Sequence, residues 1–289
     1  MIYLEITSAV LRSVHNWWYE VIRPLRDLFS LAMDRSIAVT RFEVIDEREP
    51  EKRAAKRIFF KERGTPLNEG DLDEENMLFS RNDITGDIGR LMNNWLRMSS
   101  SSEFSIFCNL YSSVTRTKDQ YIDEEFLSLS QAVEIYHRLR LSNTVLPQEE
   151  WQKKVNKILE KVQNKDEQKW LKEKLFLSNI PPLQNRLEEL LDKLEPTTSL
   201  LVADKKGFAE LVKHTKYHLI RWDTKEKKKA TSYSDLYFVS RTLRYLITAC
   251  LLKELGFDSV KIAELLKKNV RFDKFRRNSD NIIAHGFYY

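Results

Sequence analysis

Ile122-Asp123-Glu124-Glu125-Phe126-Leu127-Ser128-Leu129-Ser130-Gln131-Ala132-Val133-Glu134-Ile135-Tyr136-His137-Arg138 is the stretch that decides the fold class. Its apolar residues Ile122, Phe126, Leu129, Val133 and Tyr136 fall at i, i+4, i+7, i+11 and i+14. That spacing draws one continuous stripe along a helix of 3.6 residues per turn and predicts a helix from about Asp123 to Leu141.

The same period continues downstream. Pro147 opens a helix with Trp151, Val155, Ile158 and Val162, and Asp166 to Leu177 carries Trp170, Leu171, Leu175 and Phe176. Pro181-Pro182 starts a helix over Leu183 to Leu194, since proline suits a first turn, and Pro196 follows its end. Ala209 to about Thr215 is a further helix. Ser232 to Leu255 is the second strong one, with Leu236, Val239, Leu243, Leu246 and Cys250 on one face and Gly256 as its stop. Val260 to Lys268 closes the series.

Upstream the pattern changes. A helix from about Ser8 to Met33 carries Trp17, Trp18 and Tyr19, and a second, Ile84 to Met98, carries Leu91, Met92 and Trp95. Between them Ser36 to Asp46 and Lys56 to Lys61 read as two strands split by the charged turn Asp46 to Arg53, and Gly64 to Asn76 reads as a loop. The Ser99 to Ser102 run marks a boundary. The expected architecture is mainly α, with a small α+β segment over residues 1–98 and a helical domain over 99–289; only seven glycines and seven prolines in 289 residues agree with it.

Composition excludes several classes. At 42% apolar and 11% aromatic the chain has ample material for a packed core. No run of about 18 uncharged apolar residues occurs, and Met1 to Leu11 has neither a basic leader nor a small-residue cleavage site, so a cytoplasmic protein without a membrane span is expected. Cys108 and Cys250 each lie on an apolar helix face, where a thiol behaves as a small hydrophobe, so neither a disulfide nor a cysteine metal site is expected. The net charge of +5 is modest, but it is unevenly placed. Asp204 to Lys229 holds nine Lys/Arg against four Asp/Glu, and Lys261 to Arg277 holds seven against two. Such patches suit phosphates, or simply form a solvated surface.

Within the first basic patch lies His214-Thr215-Lys216-Tyr217-His218-Leu219-Ile220-Arg221-Trp222-Asp223. This stretch, together with Tyr121 to Arg138 and with Leu243-Arg244-Tyr245-Leu246-Ile247-Thr248-Ala249-Cys250-Leu251-Leu252-Lys253-Glu254-Leu255-Gly256, resembles the HEPN-type helical domain of ApeA-like bacterial anti-phage (abortive infection) proteins. The likeness covers roughly Ser99 to Asn269. That family carries a β-rich region ahead of its helices, and Trp17 to Asp46 looks like the end of it, which implies a chain shortened at its N-terminus. The resemblance implies a HEPN-type helical bundle, a homodimer, and RNA as the partner, with a phage-derived or defence-system protein as a further one.

HEPN ribonucleases of this group show Arg, a polar residue, three variable residues and then His, contributed by two subunits. They cut RNA without a metal, with the 2′-hydroxyl as nucleophile. A cation must hold the phosphate and a group titrating near neutrality must move a proton. At the matching positions this chain has Lys216, Tyr217 and Arg221. Lysine keeps the charge but loses the bidentate fork, and a guanidinium does not deprotonate to serve as a base. His214 and His218 are the nearest substitutes, with Tyr217 a poorer one. The candidate catalytic residues are therefore Lys216, His218 and Arg221. Candidate RNA contacts are Lys213, His214, Lys225, Lys227 and Arg277.

No cofactor and no metal are expected. His214 and His218 sit at ligand spacing, but no glutamate follows the first as in H-E-x-x-H and no third ligand is evident. The tail Asn281 to Gly286 reads like the end of an R-N-x-x-x-H motif, yet Asp280 stands at the arginine position and Arg277 is eight residues before His285. It is read as a basic terminal segment. No glycine-rich phosphate loop, paired-cysteine motif or serine elbow occurs, and Trp95, Trp151 and Trp170 read as packing rather than base-stacking residues. Three functions follow in order: a metal-independent ribonuclease, a catalytically inactive HEPN module that binds RNA or a partner protein, and a protein-interaction scaffold.

Overall fold

The computed structural model describes residues 4–10, 12–45, 55–60, 73–84, 86–117, 120–222 and 224–286, with side chains as far as residue 278. In chain order, α1 (Val14–Asn16) passes through a π-helical turn (Trp17–Ile22) into α2 (Arg23–Ala32). The strands β1 (Glu43–Val44) and β2 (Lys56–Arg57) follow, then α3 (Ile88–Ser100) and α4 (Phe104–Arg116). Next come α5 (Ile122–Arg140), α6 (Gln148–Leu159), α7 (Lys165–Leu175) and α8 (Leu183–Lys193). The chain ends with α9 (Lys205–Arg221), α10 (Thr224–Lys227), α11 (Tyr233–Leu255), α12 (Ser259–Lys268) and α13 (Val270–Gly286). The protein is mainly α, as its periodicity predicts. Its residues group into two compact units: 1–119 with 254–257 and 264–289, and 120–253 with 258–263.

In the first unit the expected Ser8 helix begins at Val14 instead. The Ser13 hydroxyl accepts from Asn16 N at 3.1 Å and caps it, while the Ser8 hydroxyl closes a local turn with Val10. The two expected strands shrink to an antiparallel ladder with Glu43 opposite Arg57 and Val44 opposite Lys56. Aromatic contact holds this hairpin: the Trp18 ring lies 4.6 Å from Phe60 and 6.2 Å from Phe42. Its charged turn, Asp46 to Arg53, lies outside the described residues, and so does most of the Gly64 to Asn76 loop. The indole of Trp95, 1% exposed, donates to Pro24 O at 2.6 Å and ties α3 to α2. The Ser99 to Ser102 run falls at the end of α3 and in the turn to α4.

The second unit packs α5 against α8 and α9. Phe126, Leu129 and Val133 of the opening stripe are fully buried and Tyr136 nearly so, while Ile122 at the helix start is half-buried. Burial extends past the stripe to Ala132, Ser130 and His137, so α5 is covered on more than one side. From α8, Arg186 is 2% exposed and donates to Pro181 O at 2.8 Å and Asn143 Oδ1 at 2.6 Å, which fixes the α8 start against the α5 end. Asn179 clamps the feet of the α6–α7 hairpin: its side chain exchanges hydrogen bonds with Leu146 N and O at 2.9 and 3.0 Å.

Packing corrects one expectation about the tryptophans. Trp151 is half-buried, but Trp170 is 58% exposed and does not belong to a core. The helices α6 and α7 pack chiefly on each other, so the Trp170 side of α7 turns to solvent. Cys108 and Cys250 are free thiols, both buried on helices. Among the described residues no helix is long and apolar enough to cross a membrane.

Candidate nucleic-acid interface on α9

The helix expected to stop near Thr215 continues to Arg221, so the whole motif from His214 to Arg221 is helical. The Asp204 carboxylate starts it by accepting from Gly207 N at 3.0 Å. Ala209, Val212 and Thr215 form its buried side, and Thr215 Oγ1 accepts from Thr231 N at 3.0 Å, which docks the approach to α11. The helix α11 is itself started by Ser232, whose hydroxyl accepts from Asp235 N at 3.1 Å and lies 2.6 Å from the Asp235 carboxylate.

Helix geometry then separates the candidate residues. Five residues at 100° each place Arg221 about 140° around the axis from Lys216. Lys216 turns toward α5 and forms an ion pair with Glu134. Lys213, on the same side, donates to Gln184 of α8 at 2.8 Å. On the other side of α9, His214 Nδ1 pairs with the Glu226 carboxylate. The His218 ring stacks on Trp222, 5.4 Å between centroids and 23° between planes, and the Arg221 guanidinium lies 4.8 Å from the Tyr217 ring. Lys225 and Lys227 are exposed on the short α10 that packs on α9. So His214, His218 and Arg221 share one strip with the α10 cations beside it, and Lys216 does not join them. Among the described residues, no group of three histidine, cysteine or acidic side chains is arranged to hold a metal ion.

Arg277 lies in the first unit, on α13, 2.5 Å from Asp273 and 74% exposed in its side chain. The tail read as a basic terminal segment is helical to Gly286, and the His285 side chain falls outside the described residues.

Below the Lys216 side of α9 sits a buried polar cluster. Arg186 NH1 lies 3.2 Å from His137 Nδ1 and 3.5 Å from Glu134 O, and His137 Nε2 lies 2.8 Å from the Glu189 carboxylate. Burial is the largest influence on His137 and pushes its pKa below the ordinary value; the hydrogen bond to Glu189 opposes this and the Arg186 charge adds to it.

With this geometry in place, the family comparison is decisive. The model of the Apea-like HEPN domain matches residues 127–261, and that of ApeA N-terminal domain 1 matches residues 1–95. The chain belongs to the ApeA-like HEPN family. It is accordingly a HEPN protein of the bacterial anti-phage type. No curated protein and no solved structure gives a significant match. The HEPN match takes in α8, α9, α10 and α11 whole, and with them Lys213, His214, Lys216, His218, Arg221, Lys225 and Lys227; Arg277 lies beyond it.

Neither the end of α9 nor the partners of its side chains are legible in the local sequence. Glu134 stands in the stretch that carries the resemblance but off its apolar stripe. Glu226 is twelve residues from His214, across the turn that ends α9, and no local pattern pairs them. Arg186 and His137 are 49 residues apart, and a buried arginine in a charged helix has no signature of its own.

Proposed function

We propose that this ApeA-like HEPN protein is a cytoplasmic RNA-binding module of an anti-phage defence system, acting as a homodimer without metal or cofactor. RNA contacts the strip of α9 and α10 that carries Arg221, Lys225 and Lys227. One observation supports binding over cleavage by the α9 motif: neither of its two positions carries a group that titrates near neutrality and could move a proton. Lys216 is engaged with Glu134, and Arg221 replaces the proton-moving histidine with a permanently charged group. A cation that cannot release its proton holds phosphate well and catalyses poorly.

A second reading, metal-independent cleavage, is favoured by the pair of His214 and Glu226. A carboxylate that accepts from Nδ1–H directs the Nε2 lone pair outward, where it can take the 2′-hydroxyl proton. The 2′-oxygen then attacks phosphorus and the 5′-oxygen leaves with a proton, giving a 2′,3′-cyclic phosphate. In this reading His218, one turn away, supplies that proton.

The test combines labelled-RNA binding with a fluorogenic RNA cleavage assay in EDTA, on wild type and on His214→Ala, Lys216→Ala, His218→Ala, Arg221→Ala and His285→Ala. Salt-dependent binding without cleavage, weakened by Arg221→Ala and by joint replacement of Lys225 and Lys227, supports the first reading. The log–log salt slope should fall by about 1 for each phosphate-contacting cation removed. Cleavage lost in His214→Ala supports the second. Cleavage lost only in His285→Ala transfers the chemistry to α13, and no RNA binding at all rejects both readings.

A further inference from the structure

Trp222 ends α9 in an unusual state. Its φ of 53° and ψ of 36° are left-handed, and its N–H donates to His218 O at 2.8 Å. Glycine is the residue that takes this conformation without penalty, and the end of α11 follows that rule with Gly256 at φ 102°. A bulky aromatic residue there is strained, and such strain persists where surrounding contacts hold it. Here the ring is held by its stack on His218, yet Trp222 remains 77% exposed. One face of the indole is occupied and the other is presented to solvent.

The surroundings are cationic. From Arg221 to Lys229 there are five Lys/Arg against two acids, and one of those acids, Glu226, is paired with His214. Trp170, the other strongly exposed tryptophan, lacks the strain, since it sits within an ordinary helix, and its surroundings are closer to balance, with eight lysines against six acids over residues 148–175. Strain, an open indole face and a local excess of cations coincide only at Trp222 among the described tryptophans.

We propose that Trp222 is a base-stacking residue that makes the α9 surface select unpaired RNA. A nucleobase extends the column of His218 and Trp222, while Arg221 and the α10 lysines hold the flanking phosphates. In a duplex the bases are already stacked on one another, so their faces are closed to the ring; in a single strand they are open. This inference rests on the RNA-binding reading above and names the form of RNA it takes.

The experiment measures the affinity of the full chain for a fluorescein-labelled single-stranded RNA, and for the same strand annealed to its complement, by anisotropy across a salt series. Wild type should prefer the single strand. Trp222→Ala and Trp222→Gly should weaken single-strand binding roughly 5- to 150-fold, leave duplex binding and the salt slope unchanged, and Trp222→Phe should retain most of the affinity. Because glycine relieves the left-handed strain, Trp222→Gly should melt at or above the wild-type temperature while binding worse, which separates ligand contact from folding. Equal affinity of Trp222→Gly and wild type for the single strand overturns the stacking role and leaves the RNA reading standing. So does an equal loss for both RNA forms, or a lost affinity accompanied by a lower melting temperature. Wild type that binds neither RNA overturns the RNA reading itself.

Discussion

Arg186 and His137 share a buried hydrogen bond, NH1 to Nδ1 at 3.2 Å, and that contact sets the protonation state of the histidine. A guanidinium only donates, so Nδ1 must accept and the imidazole proton sits on Nε2, directed at the Glu189 carboxylate 2.8 Å away. The histidine is fully buried and neutral in this arrangement. Its neighbour Glu134 offers its carbonyl toward Arg186 and its carboxylate to Lys216, so the polar core of the second unit reaches the edge of α9 through one residue.

Acid should weaken the fold through His137. Its pKa is lowered from 6.5 in the folded state, chiefly by burial, so the unfolded chain binds more protons as pH falls below 6.5. The contribution of the neutral histidine is therefore complete above 6.5 and is lost on acidification below it. Melting curves between about pH 5 and pH 8 should show this slope, and His137→Gln should flatten its acid limb. An unchanged slope in the variant would refute the assignment.

Replacing Arg186 should be costly. Arg186→Ala strands the buried acceptor Pro181 O, frees the half-buried Asn143 Oδ1 and leaves a cavity, and a loss of about 2–4 kcal/mol is expected in urea unfolding. Arg186→Lys should recover only part of it, since one ammonium cannot reach in the directions that the guanidinium fork spans. Full recovery by lysine would mean that charge alone matters there.

Lys216 should report on stability before it reports on RNA. Its side chain is 13% exposed and that of Glu134 32%, so the pair is partly shielded from solvent. A double-mutant cycle with Lys216→Ala and Glu134→Ala should give a coupling of about 1 kcal/mol, with RNA affinity held at the wild-type level in the lysine variant. Loss of RNA affinity without coupling would return Lys216 to the binding surface.

The thiols should be silent in the native protein. Burial pushes the Cys108 pKa up to about 12, and the charges of Asp27 and Glu254 add to the rise. With Cys250 also buried, a thiol reagent at mildly alkaline pH should modify neither residue until the chain is denatured, when both should react. Rapid modification of the folded protein would contradict this.

Much of the helical architecture is legible locally, because helix formation follows from period, caps and breakers that neighbouring residues carry. The stripe from Phe126 to Tyr136 and the Gly256 stop are examples. Strand length was less legible: the run from Ser36 to Asp46 has an alternating character, yet among the described residues only Glu43 and Val44 of that run find ladder partners, since pairing depends on what lies opposite. The candidate site was legible as a stretch and not as a geometry. Periodicity does not say where a helix such as α9 ends when the next residue, Trp222, stops it in a left-handed turn.

By itself the sequence determined the mainly helical class, the family resemblance later matched by both family models, and the position of the basic stretch. Those are properties of residue type and spacing along one chain. Tertiary structure decided that Lys216 and Arg221 diverge around α9, that Glu134 and Glu226 take up Lys216 and His214, that Trp170 leaves the core and that Trp222 stands open on His218. Each depends on what another segment brings within a few ångströms, and side-chain chemistry is set by that encounter rather than by order in the chain.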